Sequence, residues 1–279
     1  MLIASSSQVI EKKSARNVSS KRTMSTVQRQ DLVVFNDHSV ISDQTFQNGL
    51  HHLITITASP FTSPTWLINS LVESQILGRP YSLNADSSSA QGHSRPVTVG
   101  SFVHEPQLFH NTLGKLKVSP QKYKVVDLVT DLVVKILGKP RSKVYKDILQ
   151  QFPLQNQSVI VLEQPELLLS LLEGSTSDEI HSQLITPLMK RCSVLILATS
   201  IYDDGEDATR DSLEFSRFTL NCIYKSMVVM SLRPLETGRA NDVTGTLRIT
   251  RGGVRSPVHV VENEYLYLNQ KESTRLFYR

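Results

Sequence analysis

An α/β fold on a mostly parallel sheet is the architecture this sequence predicts, and three observations carry the prediction. Short apolar runs of strand length alternate with segments whose apolar residues recur at helical spacing, a pattern that places helices on both faces of a parallel sheet. One run, "SVLILAT" (Ser193–Thr199), is unbroken apolar chain from Val194 to Ala198, as expected of a strand buried on both faces. After residue 225 the helical spacing gives way to strands joined by short connections, which read as antiparallel additions at the sheet edge.

Taken in order, "LITIT" (Leu53–Thr57) is the first buried strand, and Trp66–Leu77 the first helix, with Trp66, Leu67, Leu71 and Ile76 on helical spacing. The Ser-, Asn- and Gly-rich stretch 82–96 reads as an exposed loop. Strands are expected at Val97–Val103, Lys124–Leu128 and Ser158–Glu163, and helices at Leu108–Leu116, Asp131–Leu137, Ser142–Phe152 and Glu166–Leu172. A helix over Asp178–Cys192 is expected to kink or restart at Pro187, which has no N–H to donate. The acidic stretch "YDDGEDATRDSLE" (202–214) reads as a solvated loop, and Met227–Leu232, Gly245–Thr250, Val258–Glu262 and Tyr265–Leu268 as the later strands. The best division is an extension over residues 1–26, disordered in composition, and one domain over residues 27–279.

No apolar run approaches the roughly 18–20 residues that a helical membrane span needs. Two cysteines, Cys192 and Cys222, exclude a disulfide-rich scaffold and fit a reducing compartment. The chain has 30 basic and 26 acidic residues, but the excess is local: residues 1–30 hold Lys12, Lys13, Arg16, Lys21, Arg22 and Arg29 against Glu11. The remainder is near neutral, so the basic balance does not make the folded body a nucleic-acid binder. The Ser-, Lys- and Arg-rich front end fits a transit peptide, plain disorder, or an extension ahead of a true start at Met24.

The strand "VIVLE" ending at Glu163 raises the question of a phosphate site, because in phosphate-binding α/β folds a buried strand ends in a carboxylate facing magnesium and nucleotide. The loop of such a site needs glycines that let backbone N–H groups close on phosphate, a lysine that neutralises it and a hydroxyl for the metal. The segment between the first strand and first helix is "ASPFTSPT" (Ala58–Thr65). Ala58 and Ser63 stand at the glycine positions, Pro64 at the lysine position, and only Thr65 fits. Proline offers neither charge nor N–H, and side chains restrict the turn that glycine permits. Glu163 is therefore expected to cap a helix or pair with a base, with no catalytic role and no bound cofactor. A strand, a degraded loop, a helix and a later strand ending in acid describe a RecA-like fold that has lost its nucleotide site.

Four stretches make this more specific: "VQRQDLVVF" (Val27–Phe35), "IVLEQPELLLSLL" (Ile160–Leu172), "GRANDVTGTLRITRGG" (Gly238–Gly253) and "VVENEYLYLNQKESTRLFYR" (Val260–Arg279). With them the sequence resembles the fungal Elongator complex protein 6 family over roughly Met24–Arg279. The resemblance implies a RecA-like subunit without ATPase hallmarks. It further implies assembly with Elongator complex proteins 4 and 5 into a ring of two copies each, docking on the catalytic part of Elongator, contact with tRNA, and support of 5-carboxymethyl-type modification of wobble uridine. A cytoplasmic location, extending to the nucleus, goes with it. Two other readings compete: a nucleotide-hydrolysing enzyme with a divergent loop, which Pro64 opposes, and a free-standing RNA-binding module, which the near-neutral body opposes.

The remaining constellations are weak or local. His104 and His110 lie six apart with Pro106 between them, the wrong spacing for a helical zinc pair. Asp127 and Asp131, four apart, read as solvated or base-paired. Residues 115–146 form a basic cluster, in which Lys115, Lys117, Lys122, Lys124, Lys139, Arg141 and Lys143 are candidates for RNA phosphate contact, alongside Lys135 and Lys146. Arg248, Arg251 and Arg255 form a second candidate group. In "EYLYL" the strand alternation separates Tyr265 and Tyr267 from Leu266 and Leu268. Tyr265, Tyr267, Phe277 and Tyr278 are the aromatic candidates for a subunit interface.

Overall fold

The computed structural model of the protein describes residues 30–278 apart from 48, 84–93, 131–135, 137, 202–208, 239, 241 and 272. A nine-stranded sheet organises them. In chain order the main elements are β1 (His52–Ala58), α1 (Thr65–Leu77), β2 (Val97–Ser101), α2 (Pro106–Lys115), β3 (Tyr123–Asp127), α3 (Arg141–Gln151) and β4 (Val159–Glu163). There follow α4 (Leu168–Leu171), α5 (Ser177–Ile180), α6 (Thr186–Met189), β5 (Val194–Ser200), α7 (Arg210–Lys225), β6 (Val228–Arg233), β7 (Gly245–Arg251), β8 (Asn263–Asn269) and β9 (Thr274–Tyr278). The spatial order is β3-β2-β4-β5-β1-β6-β7-β8-β9. Pairing is parallel from β3 to β6 and antiparallel from β6 to β9. This is the RecA-like arrangement expected: a mostly parallel sheet flanked by helices, with antiparallel strands in the C-terminal part.

The register follows from burial. Every residue of β1 and β4 is buried, and so is β5 apart from Ser200, because helices cover both faces there. One apolar core lies under all nine strands, formed with α1, α2 and the segment Leu32–Phe46. A second, on the opposite face, packs α3, Leu168, Ile180, Leu188 and Phe218 against β1, β3, β4 and β5. The antiparallel strands alternate instead: in β7, Leu247 and Ile249 point into the first core while Arg248 is exposed.

Several expectations change. Residues 210–214, read as part of an acidic loop, open a sixteen-residue helix, α7. Thr209 caps it by accepting the Ser212 N–H, and Phe215, Phe218, Thr219 and Cys222 form its buried stripe; that helical spacing was legible and was outvoted by the acids before it. Val258–Glu262 is not a strand: Val260 makes a single bridge to Phe35, flanked by hydrogen bonds between Asn36 and His259 and between Val261 and Val34. Its partner is an irregular segment, so no ladder extends. β9 is an additional strand, paired antiparallel with β8. Near Pro187 the helix does not stop; it widens into a π segment over His181–Ile185, which absorbs the hydrogen bond that proline withholds. The helix expected at Asp131–Leu137 and the extension over residues 1–26 lie outside the described residues, and so does Asp131.

Two glycines after β7 close against the chain that joins α7 to β6. The Gly252 and Gly253 N–H groups donate to the carbonyls of Met227 and Ile223. A Cβ on Gly252 would stand 2.1 Å from the Ser226 carbonyl oxygen, and one on Gly253 2.3 Å from that of Tyr224. Backbone cannot rotate away as a side chain can. Gly252→Ala is therefore expected to cost about 2 kcal/mol or more of stability, read as a lowered urea midpoint of the purified chain, while Gly114→Ala, whose added Cβ meets nothing within 4 Å, serves as the milder comparison.

Candidate functional site

The place where a nucleotide would sit lies at the carboxyl ends of β1, β4 and β5, three adjacent strands. Ala58 ends β1, and Pro64 occupies the N-cap of α1 at φ −78°, ψ −9°. The loop between them turns its polar groups on itself. The Ser59 N–H donates to Leu232 O (3.0 Å), the Thr62 N–H to Ser59 O (3.1 Å), and the Ser63 and Thr65 hydroxyls pair at 3.0 Å. Pro60 and Pro64 have no N–H. Phe61 stands at φ 67° with its side chain fully exposed. A phosphate nest needs consecutive N–H groups converging on one point; this loop has two prolines in it and spends other donors internally.

Glu163, at the end of β4, is buried and answered. Its Oε2 accepts from the Ser101 hydroxyl at 2.6 Å and from His104 Nδ1–H at 2.9 Å. Ser101 ends β2 in direct register with Glu163, and its Oγ also accepts the N–H groups of Val103 and His104. The carboxylate thus ties the β2–α2 loop to the central sheet. The hydrogen bond to Glu163 raises the His104 pKa above 6.5, against a smaller lowering by burial. Three residues on, Glu166 is fully buried. Its Oε1 accepts the Ser200 N–H at 2.7 Å, Oε2 has no partner among the described residues, and burial pushes the carboxyl up to about 7. Gln164 between them adopts φ 52° and donates from Nε2 to the Ser200 hydroxyl at 3.0 Å. Ser101, His104 and Glu166 were not expected here. The register of β2 against β4 brings the first two in, and no sequence spacing encodes it.

Beside the loop, a cleft of about 480 Å³ runs along α1, lined among others by Ser63, Thr65, Trp66, Glu73 and Lys115. Glu73 is fully buried, its Oε2 accepts the Ser82 N–H at 2.8 Å, and burial raises its pKa. Among the described residues no group of three or more His, Cys, Asp or Glu is arranged to hold a metal ion; His110 Nδ1 sits instead 3.1 Å from the Tyr123 hydroxyl.

The two basic groups are far apart. Lys115, Lys117, Lys122, Lys124, Lys139, Arg141 and Lys143 gather around α2, β3 and α3 at one edge of the sheet. Arg248 and Arg251 lie on β7 and Arg255 just after it, with five strands between β3 and β7, or roughly 29 Å at the usual strand spacing. Some of these cations are already engaged: Lys139 with Asp147 (3.0 Å), Arg141 with Glu179 (3.1 Å), Arg251 with Glu262 (3.6 Å) and Lys124 with Gln151 O. Lys117, Lys122 and Lys143 are exposed.

Two interface candidates are corrected. Tyr265 and Tyr267 are fully buried in this chain's own core. Tyr265 exchanges hydrogen bonds with the Val33 backbone, and Tyr267 packs its ring 4.9 Å from Trp66. Burial lifts the Tyr267 phenol to about 12. Alternation correctly separates them from Leu266 and Leu268, but the aromatic face is the inner one. Phe277 is half-buried on the outer face and Tyr278 is 56% exposed.

One comparison identifies the family. The chain is 45% identical to Elongator complex protein 6 of Saccharomyces cerevisiae (strain ATCC 204508 / S288c), in a match that covers 92% of this chain and the whole of that protein. The chain belongs to the Elongator complex protein 6 family. No family model matches. Among solved structures it is similar to the flagellar accessory protein FlaH of Methanocaldococcus jannaschii (13% identity, 91% of this chain and 100% of that one, TM-score 0.49). It is also similar to a KaiC-like protein of Pyrococcus horikoshii OT3 (12% identity, 90% and 99%, TM-score 0.45).

In this member of the Elongator complex protein 6 family, the buried carboxylates should set a pH dependence. Glu166 is protonated in the fold and ionised in the unfolded chain between pH 4.5 and about 7, so stability falls as pH rises through that window. The raised His104 acts in the same direction at the upper end. Glu166→Gln keeps the acceptor for Ser200 N–H and removes the titration. It is expected to be more stable than the natural chain at pH 8 by on the order of 2 kcal/mol, with a flatter change in urea midpoint between pH 5 and pH 8. An unchanged slope would show that Glu166 does not titrate in that window.

Proposed function

We propose that this protein is a non-catalytic Elongator subunit that assembles with Elongator complex proteins 4 and 5 into a hetero-hexameric ring of two copies each. In this reading the ring docks on the catalytic part of Elongator, contacts tRNA and supports the formation of 5-carboxymethyl-type wobble uridine. The observation that carries it is the 45% identity to a named Elongator protein across that protein's full length. The phosphate loop supports the non-catalytic part: a proline replaces the counter-charge, the Ser59 and Thr62 N–H groups donate to backbone carbonyls, and the Ser63 and Thr65 hydroxyls pair with each other. Glu163 supports it too, since a carboxylate already bonded to Ser101 and His104 is poorly placed to order a metal-bound water.

RNA contact on this reading falls first to the exposed lysines at the β3 edge, Lys117, Lys122 and Lys143, with Arg248 and Arg255 on the far side of the sheet meeting RNA only in a ring that presents several copies. Such contacts are to phosphate, so affinity should fall steeply with salt.

The test is purification of the tagged natural protein with mass measurement of the intact assembly. A six-membered complex containing Elongator complex proteins 4 and 5 is expected; a chain recovered alone, or with neither of them, overturns the reading. Separately, the isolated chain is expected to show no ATP turnover above background, and turnover lost in Glu163→Gln would make it an enzyme.

A further inference from the structure

The sheet is covered unequally. The first core takes side chains from all nine strands, whereas the second takes none from β6, β7, β8 or β9 among the described residues. On that side the outward side chains of β7, β8 and β9 are exposed or half-buried. Leu266 and Phe277 are directly paired across β8 and β9, Leu268 follows on the same face of β8, and all three are only half-buried. Around them stand Arg233 and Arg248, both exposed, and Arg275. Glu264 is in register with Arg248, and Glu262, paired with Arg251, also lies near enough to Arg248 to feel its charge.

Physical chemistry narrows what covers such a strip. Three strands, β7 to β9, span roughly 14 Å, about the width of one helix with its side chains. One helix would continue the layer that α3 and α7 form over the parallel half. Two segments of this chain adjoin β9: 84–93, which follows the Leu83–Thr274 bridge and holds a single acid, and 1–29, which precedes Gln30, whose N–H is bonded to Leu276 O. The second carries six cations and one acid, the same sign as the three arginines, and is a poor match. We propose that the open face of β7–β9 docks an acidic amphipathic helix of a partner protein. Its apolar side lies on Leu266, Leu268 and Phe277, and its carboxylates meet Arg233, Arg248 and Arg275. Phe277 and the arginines are residue types enriched at interfaces, and the two leucines add apolar area between them.

The choice of partner for the test rests on the Elongator reading. The chain is co-expressed with Elongator complex proteins 4 and 5, carrying the photo-crosslinker benzoylphenylalanine at Leu268, and crosslinks are mapped by mass spectrometry. Two further chains carry Leu266→Asp with Phe277→Asp, and Arg248→Glu with Arg275→Glu; thermal melts of each alone confirm the fold. Expected are a crosslink to an acidic helical peptide of one partner and at least tenfold weaker assembly in both double variants, with the natural complex weakening as salt rises. If the natural chain assembles but the crosslink maps to its own residues 1–29, 84–93 or 202–208, or only to other partner segments, the docking face is overturned and the family reading stands. The same follows if folded double variants assemble within twofold of the natural chain. Failure of the natural chain to assemble with either protein overturns both.

Discussion

Burial of β1, β4 and β5 on both faces is the constraint on which the rest of the structure depends. A strand of consecutive apolar residues cannot tolerate water on either side, so the chain must supply two helix layers, and parallel pairing with crossover helices is the economical way to do so. Placing these three strands side by side at the centre also sets their carboxyl ends side by side. That is why Ala58, Glu163 and Ser200 come together although they are far apart in sequence.

The consequence for Glu163 and Glu166 is that both carboxyls enter the least hydrated part of the molecule. A buried charge persists only if it is answered. Glu163 is answered by a hydroxyl and an imidazole from the neighbouring β2 end, and Glu166 by one backbone N–H, with burial favouring its protonated form. A loop that offered lysine and glycine amides would have drawn such acids toward metal and phosphate. Here, with Pro64 in that place, they bond to Ser101, His104 and Ser200 and pin the β2–α2 loop and the Gln164 turn.

How much could be read in advance differs by element. The parallel half was legible nearly residue by residue, because apolar runs and helical spacing there report two-sided burial directly. α7 was missed through the weight given to acids at its start, although Phe215, Phe218 and Cys222 carried the signal. β9 and the non-strand Val258–Glu262 were misjudged for a different reason: both have strand-like composition, and only the presence of a partner ladder decides. Alternation in β8 separated the tyrosines from the leucines, but a pattern of period two says nothing of which side is inside when both sides are apolar.

The sequence by itself determined the α/β class, the strand order of burial along the chain, the lost phosphate loop and, through its long C-terminal stretch, the family. These are local or one-dimensional properties: residue type, period and spacing. Tertiary structure alone decided that Ser101 and His104 meet Glu163, that Glu166 is sealed from water, that the two basic groups lie on opposite sides of the sheet and that Tyr265 and Tyr267 belong to the core. It also decided that, among the described residues, the second core takes no side chain from β6 to β9. Each of these depends on strand register and on which elements lie over which, and those are settled by packing between segments distant in sequence, where no spacing rule reaches.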